Sequence, residues 1–251
     1  MTDISLAPPS FVTRPDGLRL AYRYRAGNGP TLVFLPGYMS DMQGGKALAL
    51  DDWAGREDRA MLRLDYAGCG ESEGDFEDGT LASWRDDARL VIDAVAPEGP
   101  LVLIGSSMGG WLALLLAQEL GERVAGLVGI AAAPDFTDWG FSADQKEDIW
   151  REGRLVEPTP YGDQPYVTTH AFWESGEALR LLDKPIEVGC PVRLLQGQAD
   201  SDVPWHIAPR IAEQLRSGDV QTLLVKDGDH RLSRPQDITL LIEMVARLTE
   251  T

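Results

Sequence analysis

The residues best placed to do chemistry are a serine, an aspartate and a histidine, met in that order along the chain. Ser107 is the centre of Gly105-Ser106-Ser107-Met108-Gly109. A bare Gly-x-Ser-x-Gly pattern arises by chance in roughly one chain in ten of this size at average residue usage. Its setting is more specific. The apolar run Leu101–Ile104 precedes it and the helix-like Met108–Leu120 follows it, which is the strand–turn–helix context such a serine needs. Glycines on both sides leave room for a tight, strained turn that lifts the hydroxyl above a sheet. The helix start then aims its first amides at the same place, so the Met108 N–H can face a developing oxyanion. Ser106 is the local competitor but does not hold the central position.

A neutral hydroxyl needs a base. The chain has three histidines, His170, His206 and His230. His230 closes Asp227-Gly-Asp-His230 just after the last apolar run. That is a loop at the C-terminal end of a strand, where sites form in α/β sheets. His206 follows Val203-Pro-Trp at the start of a helix and reads as structural or surface. His170 falls in an aromatic-rich segment and reads the same way. The base needs an acid to fix its tautomer. Asp200, in Gly197-Gln-Ala-Asp200-Ser-Asp202-Val-Pro204, lies in the first turn after the run Val192–Leu195 and is the preferred candidate. Asp202 reads instead as a cap for the next helix. A second oxyanion donor is expected after Thr31–Leu35, in Pro36-Gly37-Tyr38-Met39. An unusual backbone angle at Gly37 would turn the Tyr38 N–H inward. An ordinary strand-ending turn is the alternative there.

Positioning these groups requires a sheet. Two alternating runs, Ser10–Arg14 and Leu18–Arg25, flank Pro15-Asp-Gly17 and read as an antiparallel hairpin. Short apolar runs follow at Thr31–Leu35, Arg59–Leu64, Leu101–Ile104, Val124–Ile130, Val192–Leu195 and Val220–Val225. Their length and bounding turns suggest buried parallel strands. Helical spacing appears at Leu81–Ala96, Met108–Leu120, Ile207–Leu215 and Ile238–Leu248. Alternation of the two implies an α/β fold with a mostly parallel sheet and helices on both faces. At 251 residues one domain is the expectation.

The segment from about 134 to 176 interrupts this rhythm, with no convincing sheet strand. It carries eight of the nineteen aromatic side chains: Phe136, Trp139, Phe141, Trp150, Tyr161, Tyr166, Phe172 and Trp173. It reads as a short lid insertion over an apolar group, or else as a peripheral excursion packing its aromatics on the core. Trp139 and Phe141, with Trp111 beside the serine motif, are the candidate substrate-binding residues.

Twenty-three basic against forty acidic residues give a net charge of −17. That sign disfavours nucleic-acid partners and does not help recruit polyanionic substrates. Two cysteines, Cys69 and Cys190, make neither a disulfide framework nor a zinc pattern. No metal site is expected, and acyl transfer by a serine needs no cofactor. No apolar run is long enough to span a membrane. The first ten residues lack the basic region of a signal or transit peptide, so the expected location is cytoplasmic.

With these residues placed, the chain resembles the α/β-hydrolase superfamily over nearly its whole length. Asp65-Tyr-Ala-Gly68-Cys-Gly70-Glu-Ser72 is similar to that superfamily's segment after its fourth strand. Gly197-x-x-Asp200-x-x-Val203-Pro204 is similar to its acid-bearing turn, and the order Ser107, Asp200, His230 is its triad order. Three further segments, Leu35–Ser40, Gly105–Leu112 and Gly228–Ser233, resemble the abhydrolase-domain-10 proteins. That family includes the mitochondrial palmitoyl-protein thioesterase, also described as an acyl-glucuronide esterase. The resemblance implies cleavage of acyl thioesters or activated esters, with a small-molecule acyl ester or an S-acylated protein as substrate. Serine aminopeptidase and carbon–carbon bond hydrolase remain alternatives on the same fold, as does a catalytically silent binding domain.

Overall fold

The computed structural model describes residues 8–159 and 165–250. Strands β1 (Ser10–Thr13) and β2 (Arg19–Arg25) form the expected hairpin. Gly17 supplies the positive φ of its turn, at 92°. Strands β3 (Asn28–Leu35), β4 (Arg59–Leu64), β5 (Leu101–Ser106) and β6 (Val124–Ile130) follow the apolar runs. Strands β7 (Arg154–Glu157) and β8 (Tyr166–Thr169) come next, then β9 (Val192–Gly197) and β10 (Val220–Val225). The main sheet has eight strands in the order β1-β2-β4-β3-β5-β6-β9-β10. From β4 to β10 every pairing is parallel, and only the hairpin edge is antiparallel. Chain order reverses between β3 and β5, so a crevice is expected beyond their carboxyl ends. Tyr38 follows the first of these strands and Ser107 the second.

Helices α1 (Gly45–Arg56), α2 (Leu81–Val95) and α3 (Met108–Leu120) alternate with these strands, and α4 (Phe136–Trp139), α5 (Ala143–Glu152) and α6 (His170–Ala178) lie between β6 and β9. Helices α7 (Ile207–Gln214) and α8 (Pro235–Thr249) complete the chain. The period-two pattern of the central strands divides the core. Val33 and Leu35 of β3 pack with α2, α3 and α7 on one face, while Leu32 and Phe34 pack with α1 and α8 on the other. Helix α2 starts at a capping box between Thr80 and Ser83, and α8 starts at Pro235 with Arg234 reaching Asp237.

The segment from 134 to 176 departs from the sequence expectation in one respect. It does contain strands: β7 and β8 pair antiparallel as a separate ribbon, away from the main sheet. Asp135 anchors its base. Both carboxylate oxygens accept backbone amides beyond α6, from Leu181 at 2.7 Å and Leu182 at 2.8 Å. Phe172 is fully buried in the main core and Phe136 packs against it, whereas Trp150 is 71% exposed. Tyr161 lies outside the described residues.

Candidate active site

Ser107 occupies the N-cap position of α3 with φ 55° and ψ −120°. A serine at an N-cap normally turns its hydroxyl onto the first-turn amides. Here it makes no such bond, because the backbone is held in a region where the side chain points elsewhere. A positive φ at a non-glycine residue costs about 1–3 kcal/mol and must be enforced by its surroundings. The enforcement is visible. The Ser107 amide donates to the Ile130 carbonyl at 2.9 Å, and the Ser107 carbonyl accepts from Gly110 at 2.9 Å and Ala133 at 3.1 Å. The motif glycines are required by space. A Cβ on Gly105 would sit 2.1 Å from the Gly109 carbonyl oxygen, and one on Gly109 would sit 2.0 Å from that of Leu35.

Asp200 and His230 meet at the ends of β9 and β10. A Cβ on Gly197 would lie 2.2 Å from the Gly228 carbonyl oxygen, so only glycine lets the two loops close together. His230 Nδ1 and Asp200 Oδ2 are 3.0 Å apart. The buried carboxylate also accepts the Gln196 side-chain amide at 3.0 Å and the Asp202 and Val203 backbone amides at 2.9 Å each. Burial pushes the Asp200 carboxyl up. The hydrogen bond and charge of His230 and the two backbone amides outweigh it and hold Asp200 below the usual carboxylate range. Asp202 is 4.0 Å from His230 Nε2 and does not touch Nδ1. The histidine loop is itself pinned. Lys46 Nζ donates to the Arg231 carbonyl at 2.5 Å, and Arg234 bridges Asp227 and Asp237.

A cavity of about 390 Å³ opens over Ser107 and His230. Tyr38, Trp139 and Phe141 line it, with Phe136, Tyr166 and Lys46. Met108 begins α3, so its amide has no acceptor within the helix. Its side chain is buried in the core. Gly37 differs from the expected role. Its φ is not positive; the left-handed residue of that turn is Met39, at 51°. Gly37 is needed instead for close approach, since a Cβ there would lie 3.3 Å from Ser107 Cβ and 3.2 Å from the Ser106 carbonyl oxygen. Trp111 is a correction. It is fully buried one turn into α3, outside the cavity lining, and its indole N–H donates to the Leu179 carbonyl at 3.2 Å. His206 is exposed at the start of α7 and His170 begins α6 beside Trp173; neither lines the cavity. Sequence reasoning missed Gln196 and Lys46. The signal for Gln196 is an amide directly after the Leu194-Leu195 pair of a buried strand, and Lys46 carries no sequence signal.

Sheet order, strained serine and the glycine-enforced approach of the two loops define a class: the chain belongs to the alpha/beta hydrolase family, whose model matches residues 32–239. Among particular relatives, human mitochondrial palmitoyl-protein thioesterase ABHD10 is 39% identical over 245 residues, covering 96% of this chain and 80% of that protein. The structure of mouse alpha/beta hydrolase domain-containing protein 10 is similar at a TM-score of 0.90 and 38% identity, over 97% of this chain and 99% of that one. A putative hydrolase from Agrobacterium vitis S4 is similar at a TM-score of 0.89 and 40% identity, over 97% of this chain and all of that one. No helix among the described residues is long and apolar enough to cross a membrane.

Proposed function

We propose that this chain is a serine hydrolase that cleaves acyl thioesters or activated carboxylic esters through an acyl-serine intermediate. The observation that carries the reading is the uncapped, strained Ser107 sharing a cavity with a histidine whose Nδ1 is held by a buried carboxylate at 3.0 Å. Ser107 Oγ attacks the acyl carbonyl while His230 Nε2 takes its proton. Asp200 holds the ring and stabilises the imidazolium. The Tyr38 and Met108 amides receive the oxyanion. The carbon–sulfur or carbon–oxygen bond then breaks, and the leaving thiol or alcohol departs with the proton from His230. Water enters, loses a proton to His230, and releases the acid by the reverse path. The segment from 134 to 176 contributes Phe136, Trp139, Phe141 and Tyr166 as an apolar wall, which suits an acyl chain and gives it the role of a lid. The thioester preference is supported by the name of the human relative. That name also places the relative in the mitochondrion, and for this chain a cytoplasmic location is the proposal. Fractionation of cells expressing the tagged chain separates the two.

The test compares wild type with Ser107→Ala on a chain-length series of S-acyl thioesters and matched oxygen esters, alongside a fluorophosphonate probe. Wild type should label and turn over; the variant should lose several orders of magnitude in kcat. Near-normal turnover by Ser107→Ala would overturn the mechanism. Preference for amide substrates would overturn the thioesterase reading and favour an aminopeptidase.

A further inference from the structure

The side chain of Tyr38 does something its backbone role does not require. Its ring stands between the body of the fold and the 134–176 segment. From the body, Phe76 lies 5.1 Å and Trp84 5.8 Å away, centroid to centroid. From the segment, Phe172 lies at 4.8 Å, Phe136 at 5.9 Å and Tyr166 at 6.3 Å. The phenol then donates to the Val167 carbonyl in β8 at 2.5 Å, joining positions 129 residues apart. Burial drives the phenol well above the ordinary tyrosine range, so it stays protonated and remains a donor. On its other side, Tyr38 follows Gly37, which packs closely against Ser107, and precedes the left-handed Met39. Two torsions separate a tyrosine ring from its Cα. A ring wedged on both faces and tethered at its tip therefore fixes the backbone amide that carries it.

We propose that the Tyr38 side chain is a positioning residue that locks the oxyanion loop to the 134–176 segment, so that the seating of that segment on the body sets where the Tyr38 amide points. This rests on the serine chemistry proposed above. A donor must lie about 2.7–3.1 Å from the oxyanion, and a shift of a few tenths of an ångström removes much of its value. Two different elements thereby act as one unit. The segment that forms the acyl wall also orients the group that stabilises the charge formed on that acyl carbon.

The experiment uses Tyr38→Phe, which keeps the ring and deletes the tether, and Tyr38→Leu, which removes the wedge. Both are assayed on a short-chain thioester whose acyl group does not reach the aromatic wall. Losing an oxyanion donor outright costs about 10²–10³ in kcat, so a misplaced donor should cost less: about tenfold for Tyr38→Phe and about a hundredfold for Tyr38→Leu. KM should stay within twofold. The second readout is a trifluoromethyl ketone, which forms a tetrahedral adduct with the serine. Its Ki should weaken by the same factors as kcat/KM, because both report the oxyanion site. A loss of folded protein would lower the labelled fraction instead, so kcat is expressed per fluorophosphonate-labelled site. Wild-type kcat and Ki in Tyr38→Phe would overturn the proposal, as would loss confined to KM. Failure of the underlying chemistry is distinct: it shows as an unlabelled wild type or an active Ser107→Ala before any Tyr38 variant is compared.

Discussion

At Asp200, two physical effects oppose each other and the balance decides the chemistry. Desolvation favours the neutral acid, yet His230 and two amides from its own turn keep the carboxylate charged. On the proposed mechanism, a charged acceptor makes His230 carry its proton on Nδ1 and leaves Nε2 as the base for the serine. Asp200→Asn would place a donor where an acceptor is needed and reverse the tautomer. The expected loss in kcat is about 10⁴-fold, the size that such a reversal has in serine proteases. Asp202→Asn, which alters a group 4.0 Å from Nε2, should keep kcat within about tenfold of wild type. Single-turnover acylation of the two variants, side by side, reads this directly; comparable losses would remove the distinction between the two aspartates. The sequence separates them only by turn position. What distinguishes them physically is the backbone folding back onto Asp200 and the Gln196 amide beneath it. Gln196 is legible in retrospect as a polar residue following the Leu194-Leu195 pair of the buried strand β9.

Among the elements, those with strong patterns are legible and those without are not. The central strands β3, β4, β5, β6 and β9 read as short, mostly apolar runs bounded by turns because they are buried on both faces. Helices α2, α7 and α8 read from one apolar stripe. Helix α3 reads as a helix, but eleven of its thirteen residues are buried, so its sequence does not say which side meets the cavity. That is why Trp111, close to the serine in sequence, belongs to the core. Helix α1 escapes notice because it starts at two glycines without a side-chain cap, and β7 and β8 because each has four residues. Yet α1 supplies Lys46, the tie to the histidine loop. Burial, aided by Arg231 and opposed by Asp229, Asp200 and Asp237, lowers its ammonium from 10.5 to about 8. A base with a depressed folded pKa destabilises the fold once the unfolded chain binds the proton more readily. Stability is thus lost as pH falls from 10.5 towards 8, and the full cost is present below that. Lys46→Met removes the titration and also the bond to Arg231. The Tm of the variant relative to wild type should therefore be more favourable at pH 7 than at pH 9.5. Thermal melts at the two pH values measure it; a pH-independent difference would mean that the ammonium is fully solvated.

For the molecule as a whole, charge sets which substrates reach the site. A net charge of −17 surrounds a cavity whose own lining includes Asp41, Glu157 and Asp202 against Lys46 and Arg231. The local residues therefore do not reverse the global field. A polyanionic acyl donor such as an acyl-coenzyme A approaches against repulsion that extends about 30 Å at 0.01 M salt and about 8 Å at 0.15 M. A neutral thioester with the same acyl group, such as an N-acetylcysteamine ester, feels none of it. On the proposed mechanism, chemistry at Ser107 is common to both, so any difference in salt response belongs to encounter and binding rather than to bond cleavage. Raising salt across that range should increase kcat/KM for the coenzyme A ester several-fold and leave the neutral ester unchanged. A falling kcat/KM for the anionic donor would show that Lys46 and Arg231 form an attractive entrance strong enough to overcome the acidic surface. The comparison is made on one enzyme preparation with both donors, so a salt effect on the fold would appear in the neutral ester and be recognised as such.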